Sequence, residues 1–126
     1  MLRDLERSDE YLVADLEAGV GNLNRMAANS VDALLIVVEA TPKSIEVAQR
    51  AIAIASERSV GPVRVIANKV RGDADLRMIR AALGVEVVEV PEDPAVIAAD
   101  RDGRSVVDTA PRATTVRVLS SVAAAL

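Results

Sequence analysis

Residues 33–44 read A-L-L-I-V-V-E-A-T-P-K-S and are the most informative part of the chain. Six apolar residues follow one another without alternation, which is typical of a strand buried on both faces of a parallel sheet. Pro42 then follows Thr41, at a position where proline favours the first turn of a helix. The stretch therefore predicts a buried strand that ends at Glu39 and leads directly into a helix.

Strands and helices are predicted to alternate on both sides of this stretch as well. Further apolar strands are predicted over residues 11–14, 63–68 and 85–90. Helices are predicted over residues 1–7, 21–29, 73–83 and 94–99, and two more begin near Pro42 and Pro111. Strands that alternate with helices form right-handed βαβ units and a parallel sheet. We therefore expect an α/β fold, a parallel β-sheet with flanking helices, in a single domain over residues 1–126.

The composition excludes several classes of site. The sequence contains no cysteine and no histidine, which excludes disulfides, thiolate metal sites and histidine-dependent triads. A net charge of −4 and a single aromatic residue, Tyr11, give no basic surface or stacking platform for nucleic acid. No apolar run approaches the roughly 18–20 residues of a membrane span, and the charged first residues hold no signal-peptide core. We expect no nucleic-acid partner, no membrane span and a cytoplasmic location.

Candidate binding residues follow the predicted strands, because ligands of such sheets bind beyond the carboxyl ends of the strands. Asp15 leaves an apolar strand and Gly19 follows closely, a pattern typical of a magnesium-linked carboxylate and a flexible switch glycine in nucleotide-hydrolysing proteins. Asn68 ends another strand, and its amide could bind the edge of a purine. Pro91, Glu92 and Asp93 form a stiff loop that could border a base. Asp15 alone could equally cap the next turn. Asn68 alone is a weak signal because asparagine is common in loops, and for the segment from Pro91 alone an ordinary loop is the simpler interpretation.

Four segments, taken in order, resemble a known family. They are D-L-E-A-G from residue 15, A-L-L-I-V-V-E-A-T-P-K-S-I-E from residue 33, V-I-A-N-K-V from residue 65, and V-P-E-D-P-A-V-I-A-A-D-R-D-G-R-S-V-V from residue 90. Together they resemble the carboxyl-terminal portion of MinD/ParA-type ATPases of the deviant Walker A class. The chain looks most like the accessory ATPases that insert nickel into carbon monoxide dehydrogenase. The resemblance extends over about residues 2–126 and implies an incomplete P-loop NTPase fold, a Rossmann-like three-layer sandwich.

The resemblance also implies roles for the candidate residues. Asp15 matches the Walker B aspartate that holds Mg²⁺ through a water, and Gly19 matches the switch glycine. Asn68 matches the asparagine that reads adenine. Pro91 and the backbone of Glu92 and Asp93 match the loop under the base. ATP or ADP with Mg²⁺ would be the ligands of such a site.

The sequence departs from the family at the phosphate loop. No lysine- and glycine-rich loop occurs in the 126 residues, and the only lysines are Lys43 and Lys69. Such a loop supplies the backbone cradle and the lysine for the phosphates and the hydroxyl ligand of Mg²⁺. We therefore expect nucleotide binding by this chain alone to be weak or absent, and ATP hydrolysis to be absent. The nickel-inserting relatives carry a Cys-x-Cys pair that this chain lacks, so their metal function is not carried over.

Two alternative functions remain open at this point. Gly19, Gly21 and Glu39 echo a dinucleotide-binding fingerprint, but Asn24 stands where the third glycine should be. The chain could otherwise be a remnant of the ATPase family that serves in dimerisation or regulation. Arg25 is a further candidate for a phosphate or interface contact, although a surface role is the simpler interpretation.

The resemblance also predicts a gap in the sheet. In the family, the strand before the phosphate loop lies between the strands that match residues 11–15 and 33–39. Buried backbone groups left unpaired by its absence would cost roughly 1–3 kcal/mol each. We expect the two strands to close on each other, or a second copy or a chain supplying the phosphate-loop half to cover the gap. In the first two cases we expect a homodimer.

Overall fold

The computed structural model describes residues 11–16 and 20–126. Its sheet has three parallel strands in the order β1 (Leu34–Val38), β2 (Val63–Val70) and β3 (Val87–Pro91). The helices are α1 (Pro42–Arg58), α2 (Asp73–Leu83), α3 (Pro94–Arg101), α4 (Val106–Thr109) and α5 (Thr114–Ala124), and a 3-10 helix covers Leu23–Arg25. The expected α/β fold with a parallel sheet and flanking helices is confirmed.

Local signals explain where the long helices begin and end. The Thr41 hydroxyl caps α1 by accepting a hydrogen bond from the Ser44 N–H at 3.2 Å, and Pro42 occupies the first turn. Ser59 ends α1 in the left-handed conformation. Gly84 ends α2 in the same conformation with a φ of 63°, a backbone state that glycine adopts without steric cost.

Apolar layers cover the sheet on both faces, but unequally. On one face, α1 and α2 cover alternate residues of the strands, among them Ile36, Val38 and Val65. On the other face, Val122 of α5 packs with Ile66 and Val90. Leu35 and Val37, on the β1 part of this second face, are 43% and 59% exposed. The three-layer arrangement is therefore complete over β2 and β3, whereas the described residues cover β1 on one face only.

Most predicted elements are present, with small shifts at their ends. Strands near 33–39, 63–68 and 85–90 are confirmed as β1, β2 and β3, and the helix over 73–83 has the predicted bounds. The helix expected from Pro111 begins at Thr114, and the short helix α4 was not predicted. The predicted helix over residues 1–7 lies outside the described residues.

Two predictions are wrong. Residues 11–14 form no strand, and Tyr11, Leu12 and Val13 are exposed. An apolar run becomes a strand only when a neighbour pairs its backbone and covers its side chains, and no strand of the described chain does so here. The helix predicted over 21–29 is reduced to the 3-10 helix Leu23–Arg25. Glycine and asparagine in this stretch are poor helix formers, and Asn29 has a positive φ of 52°.

Because residues 11–14 form no strand, the prediction about the gap in the sheet changes as well. In the described part of the chain, no strand pairs with the outer edge of β1, so residues 11–15 do not close onto it. Coverage of this edge by a second copy or by another chain stays a prediction. No described helix combines the length and the apolar character needed to cross a bilayer, and the cytoplasmic location also stays a prediction.

Candidate functional site

The carboxyl ends of the three strands border one open depression. Its volume is about 180 Å³, and it is lined by Glu39, Ala40, Thr41, Lys69, Arg71 and Glu92. These residues come from the loop after β1, from the end of β2 and the loop that follows it, and from the loop after β3. Parallel strands place their carboxyl ends at the same edge of a sheet, and this is where ligands of open α/β sheets bind. The depression is therefore the candidate site.

Glu39 is held at the end of β1 by its own backbone. Its N–H donates to Ser44 Oγ at 2.9 Å, and its carbonyl accepts the Thr41 N–H at 2.8 Å. Its carboxylate Oε1 lies 2.9 Å from Lys69 Nζ, so an ion pair joins the ends of β1 and β2. The side chains of both residues remain well exposed, so solvent weakens this pair. Glu39 is thus oriented without being buried.

The end of β2 is irregular where Asn68 and Lys69 occur. The register of β2 against β3 shifts between Ala67 and Val70, and Lys69 has a positive φ of 54°. A bulge of this kind re-aims side chains at the end of a strand. The hydrogen bond from Lys69 to Glu39, and then the negative charge of Glu39, raise the pKa of Lys69 above its ordinary value. Asn68 is half-buried beside this bulge, inside β2 rather than after it.

The loop after β3 is fixed by backbone and side-chain hydrogen bonds. Pro91 is aligned with Val70, and the Glu92 N–H donates to the Val70 carbonyl at 3.0 Å. The Asp93 carboxylate accepts the Ala95 N–H at 3.0 Å and the Thr115 N–H at 3.1 Å. It therefore caps α3 and ties it to the first turn of α5. The hydrogen bond from the Thr115 N–H, followed by that from Ala95, lowers the pKa of Asp93.

The predicted site residues differ in where they lie relative to the depression. Asn68, Pro91, Glu92 and Asp93 all lie at the carboxyl edge of the sheet, and Glu92 lines the depression itself. Asp15 lies exposed in a segment without regular secondary structure and does not line the depression. Gly19 lies outside the described residues. Arg25 is exposed at the end of the 3-10 helix.

Sequence reasoning missed part of the lining. Thr41 and Arg71 were not candidates, and Glu39 was considered only as part of a dinucleotide-binding fingerprint. Lys69 was noted only as one of the two lysines. A signal was available, because all four residues follow or end an apolar strand, where ligand contacts concentrate. The ion pair that joins Glu39 and Lys69 across two strands could not be read from the sequence.

The dinucleotide-binding alternative finds no support in the local structure. That fingerprint needs a glycine loop that follows a strand and opens a helix. Residues 11–16 form no strand, and the described residues after Gly19 form a turn and a three-residue 3-10 helix.

Across residues 11–16 and 20–126, no group of three acidic side chains could hold a metal ion.

Comparison with known proteins gives a consistent picture. No protein-family model matches the chain. The chain is 36% identical, over 79% of its length, to an uncharacterized ATP-binding protein of Methanocaldococcus jannaschii. It is 31% identical, over 85% of its length, to the carbon monoxide dehydrogenase accessory protein CooC of Rhodospirillum rubrum. It spans only 40% and 41% of the length of these two relatives, in their carboxyl-terminal portion.

A solved structure supports the fold. The MinD cell division protein of Aquifex aeolicus superposes with a TM-score of 0.54 and a sequence identity of 21%, over 71% of this chain and 41% of that protein. The likeness shows that the three-stranded parallel sheet and its helices have the arrangement found in a MinD-like P-loop NTPase.

Proposed function

The chain is similar to the carboxyl-terminal portion of MinD- and CooC-like ATP-binding proteins, and from this premise we propose that it forms the adenine-binding part of an ATP site. The rest of such a site, with the phosphate loop, would come from residues other than these 126. Asn68 would read the edge of adenine, and Pro91 with the backbone of Glu92 and Asp93 would border the base.

One observation carries the proposal. Asn68, beside the bulge of β2, and the loop that begins at Pro91 lie on neighbouring strands at the same edge of the sheet. The Glu92 N–H donates to the Val70 carbonyl, so this loop is held against the end of β2. The side-chain amide of Asn68 can both donate and accept hydrogen bonds, and the loop beside it has a restricted backbone. This combination suits a flat heterocycle such as a purine, which has hydrogen-bond donors and acceptors along its edge.

Asp15 and Gly19 keep the roles that the family resemblance implies, as proposals. A single exposed carboxylate is not a magnesium site, so Asp15 would hold Mg²⁺ through a water only when a phosphate loop supplies further ligands. Stabilisation of the transferred phosphoryl group supplies most of the catalysis in such enzymes. We therefore expect the purified 126-residue chain to show no ATP hydrolysis. Turnover that Asp15→Ala abolishes would contradict this expectation.

A second candidate function is association with another chain, and the outer edge of β1 favours it. Within the described residues, this edge is unpaired, and the strand reads LLIVV without a charged residue. Natural edge strands commonly carry charges or prolines that prevent pairing, and β1 carries neither. A homodimer, or a chain that supplies the phosphate-loop half, would cover this edge. This function is compatible with adenine binding and does not replace it.

The test of adenine binding is an NMR titration of the full chain with adenosine and with guanosine. We expect adenosine to bind with a dissociation constant on the order of millimolar, because a few hydrogen bonds must offset the entropy of association. Shifts should centre on Asn68 and on the loop from Pro91. Asn68→Ala should remove the preference for adenosine.

The matched control is Asn24→Ala. Asn24 is an exposed asparagine on the 3-10 helix and, unlike Asn68, belongs to no strand of the sheet. This variant should bind adenosine like the unaltered chain. Equal shifts for both nucleosides, or no shift near Asn68, would contradict the proposal.

A further inference from the structure

The charged lining of the depression is balanced. Glu39 and Glu92 supply two carboxylates, and Lys69 and Arg71 supply two cations. A site with no net charge has little attraction for a phosphate, which is bound by cations and backbone N–H groups. It offers acceptors and donors side by side, which suits a neutral group rich in hydroxyls. The part of a nucleotide with this character is its ribose.

Glu39 is a carboxylate acceptor in the depression whose main chain and side chain both have defined contacts. Two backbone hydrogen bonds fix its main chain, and the Lys69 ammonium holds Oε1 at 2.9 Å. An ionised carboxylate has about four acceptor positions, so the ion pair leaves most of them available. The side chain is partly exposed, so a ligand can reach it. The main chain of Glu39 is therefore already fixed when a hydroxyl binds, which lowers the entropy lost on binding.

The register of the sheet places Glu39 beside the proposed base site. Val38 is aligned with Ala67, so the next residues, Glu39 and Asn68, are neighbours across the ends of β1 and β2. Adjacent strands lie about 4.8 Å apart. A nucleoside bound at Asn68 would therefore have its sugar within reach of the loop that follows β1.

We propose that Glu39 binds the ribose of the nucleotide, with its carboxylate accepting hydrogen bonds from the 2′- and 3′-hydroxyl groups. This rests on the proposed adenine site and adds a residue that selects ribonucleosides over sugars without these hydroxyls. Lys69 acts as a positioning residue that orients the carboxylate. Carboxylates accept strong, charge-assisted hydrogen bonds from hydroxyl groups, and the strand-end position of Glu39 resembles that of acidic residues that bind ribose in other α/β sheets.

The experiment compares adenosine with 2′,3′-dideoxyadenosine by NMR titration of the full chain. The two ligands share the base and differ only in the two hydroxyl groups. We expect adenosine to bind at least about fivefold more tightly, given the usual strength of hydrogen bonds to a charged group. Glu39→Ala should lower this ratio to about one, by weakening adenosine alone.

Two further variants separate a direct contact from a structural effect. Glu57→Ala removes an exposed glutamate near the end of α1 and should leave the ratio unchanged. Lys69→Met removes the ion pair but leaves the Glu39 carboxylate in place. Lys69→Met should weaken adenosine more than the dideoxy compound, because the carboxylate loses the ion pair that orients it, but adenosine should still bind more tightly than the dideoxy compound.

The outcomes distinguish the two proposals. Equal binding of adenosine and the dideoxy compound by the unaltered chain would overturn the role of Glu39 and leave the adenine site standing. The same holds if Glu39→Ala keeps the ratio, or if Lys69→Met removes it completely. Failure of both nucleosides to bind would overturn the adenine site and the role of Glu39 with it.

Discussion

Two carboxylates at the carboxyl edge of the sheet differ in what they contact. Asp93 accepts hydrogen bonds from two backbone N–H groups, those of Ala95 and Thr115, and so connects α3 with α5. Glu39 contacts a flexible ammonium and keeps acceptor positions open toward the depression. We infer that the side chain of Asp93 stabilises the fold and that only its backbone contributes to the candidate site. The family resemblance likewise assigned the backbone of this loop to the base.

Asp93→Asn should destabilise the chain in a pH-dependent way. The pKa of Asp93 is lowered in the folded chain, from an ordinary value of 3.8. A lowered pKa means that the ionised carboxylate stabilises the fold fully above this ordinary value, and that the contribution is lost as the pH falls through the folded pKa. In urea unfolding, the difference between the unaltered chain and Asp93→Asn should be constant from pH 7 to 5 and should shrink below about pH 4.

Asp32→Asn is the control for this measurement. Asp32 is exposed in the turn before β1. This variant should leave the urea midpoint nearly unchanged at every pH, because exposed positions away from caps have small effects. A difference for Asp93→Asn that persists undiminished at pH 3 would contradict the role assigned to its charge.

Among the elements, the connection from α1 to β2 lies close against the segment that precedes β1. Val60 is fully buried, and its carbonyl accepts the Ser30 and Val31 N–H groups. A Cβ atom at Gly61 would collide with the Val31 carbonyl oxygen and lie 3.1 Å from Val31 Cγ2. Glycine is therefore required at this position by a close approach of two backbone segments.

Gly61→Ala should lower the free energy of unfolding by about 1–3 kcal/mol, the usual cost of forcing extra atoms into packed structure. The matched control is Gly21→Ala, because nothing lies within 4 Å of a Cβ atom at Gly21. Urea unfolding followed by circular dichroism measures both. A Gly61→Ala chain as stable as the Gly21→Ala chain would show that the turn before β2 relaxes without cost.

Some elements could be predicted from their own sequence better than others, because helices depend on local signals and strands depend on distant partners. The helix over 73–83 was predicted with its bounds because its apolar spacing and Gly84 are signals carried by the segment itself. Residues 11–14 are apolar, as the residues of the confirmed strands are, but they form no strand. A strand needs a partner from elsewhere in the chain, and its own residues do not reveal whether that partner is present.

For the molecule as a whole, the uneven cover of the sheet is the main feature. The α5 helix covers β2 and β3, whereas Leu35 and Val37 of β1 stay exposed beside an edge that no described strand pairs. Exposed apolar side chains next to unpaired backbone groups favour pairing with another strand. The relatives are more than twice as long as this chain, so they contain further structure that could lie here.

Val37→Lys should reduce self-association of the 126-residue chain. We expect the unaltered chain to sediment above its monomer mass of 13.3 kDa at high concentration, and the variant to move toward the monomer. A lysine at this position opposes association because a partner that covers the exposed face of β1 would desolvate its charge. Val107→Lys is the control, since Val107 on α4 is 58% exposed, close to the 59% of Val37. A chain that is monomeric at all concentrations would contradict this expectation.

The local pattern of the sequence was sufficient for the architecture and for part of the candidate site. Unbroken apolar runs, Pro42 and Gly84 predicted the alternation of strands and helices, and strand ends pointed to Asn68 and the loop from Pro91. These features depend on residues within a few positions of one another, so a linear pattern contains them.

Other features exist only because distant segments meet. The ion pair of Glu39 with Lys69 depends on the register of β1 and β2 and on a bulge that gives Lys69 a positive φ. The hydrogen bond from Thr115 to Asp93 spans 22 positions of the chain. Such contacts follow from how whole elements pack, and the free energy of that packing is shared among many side chains, so no single segment of sequence encodes it.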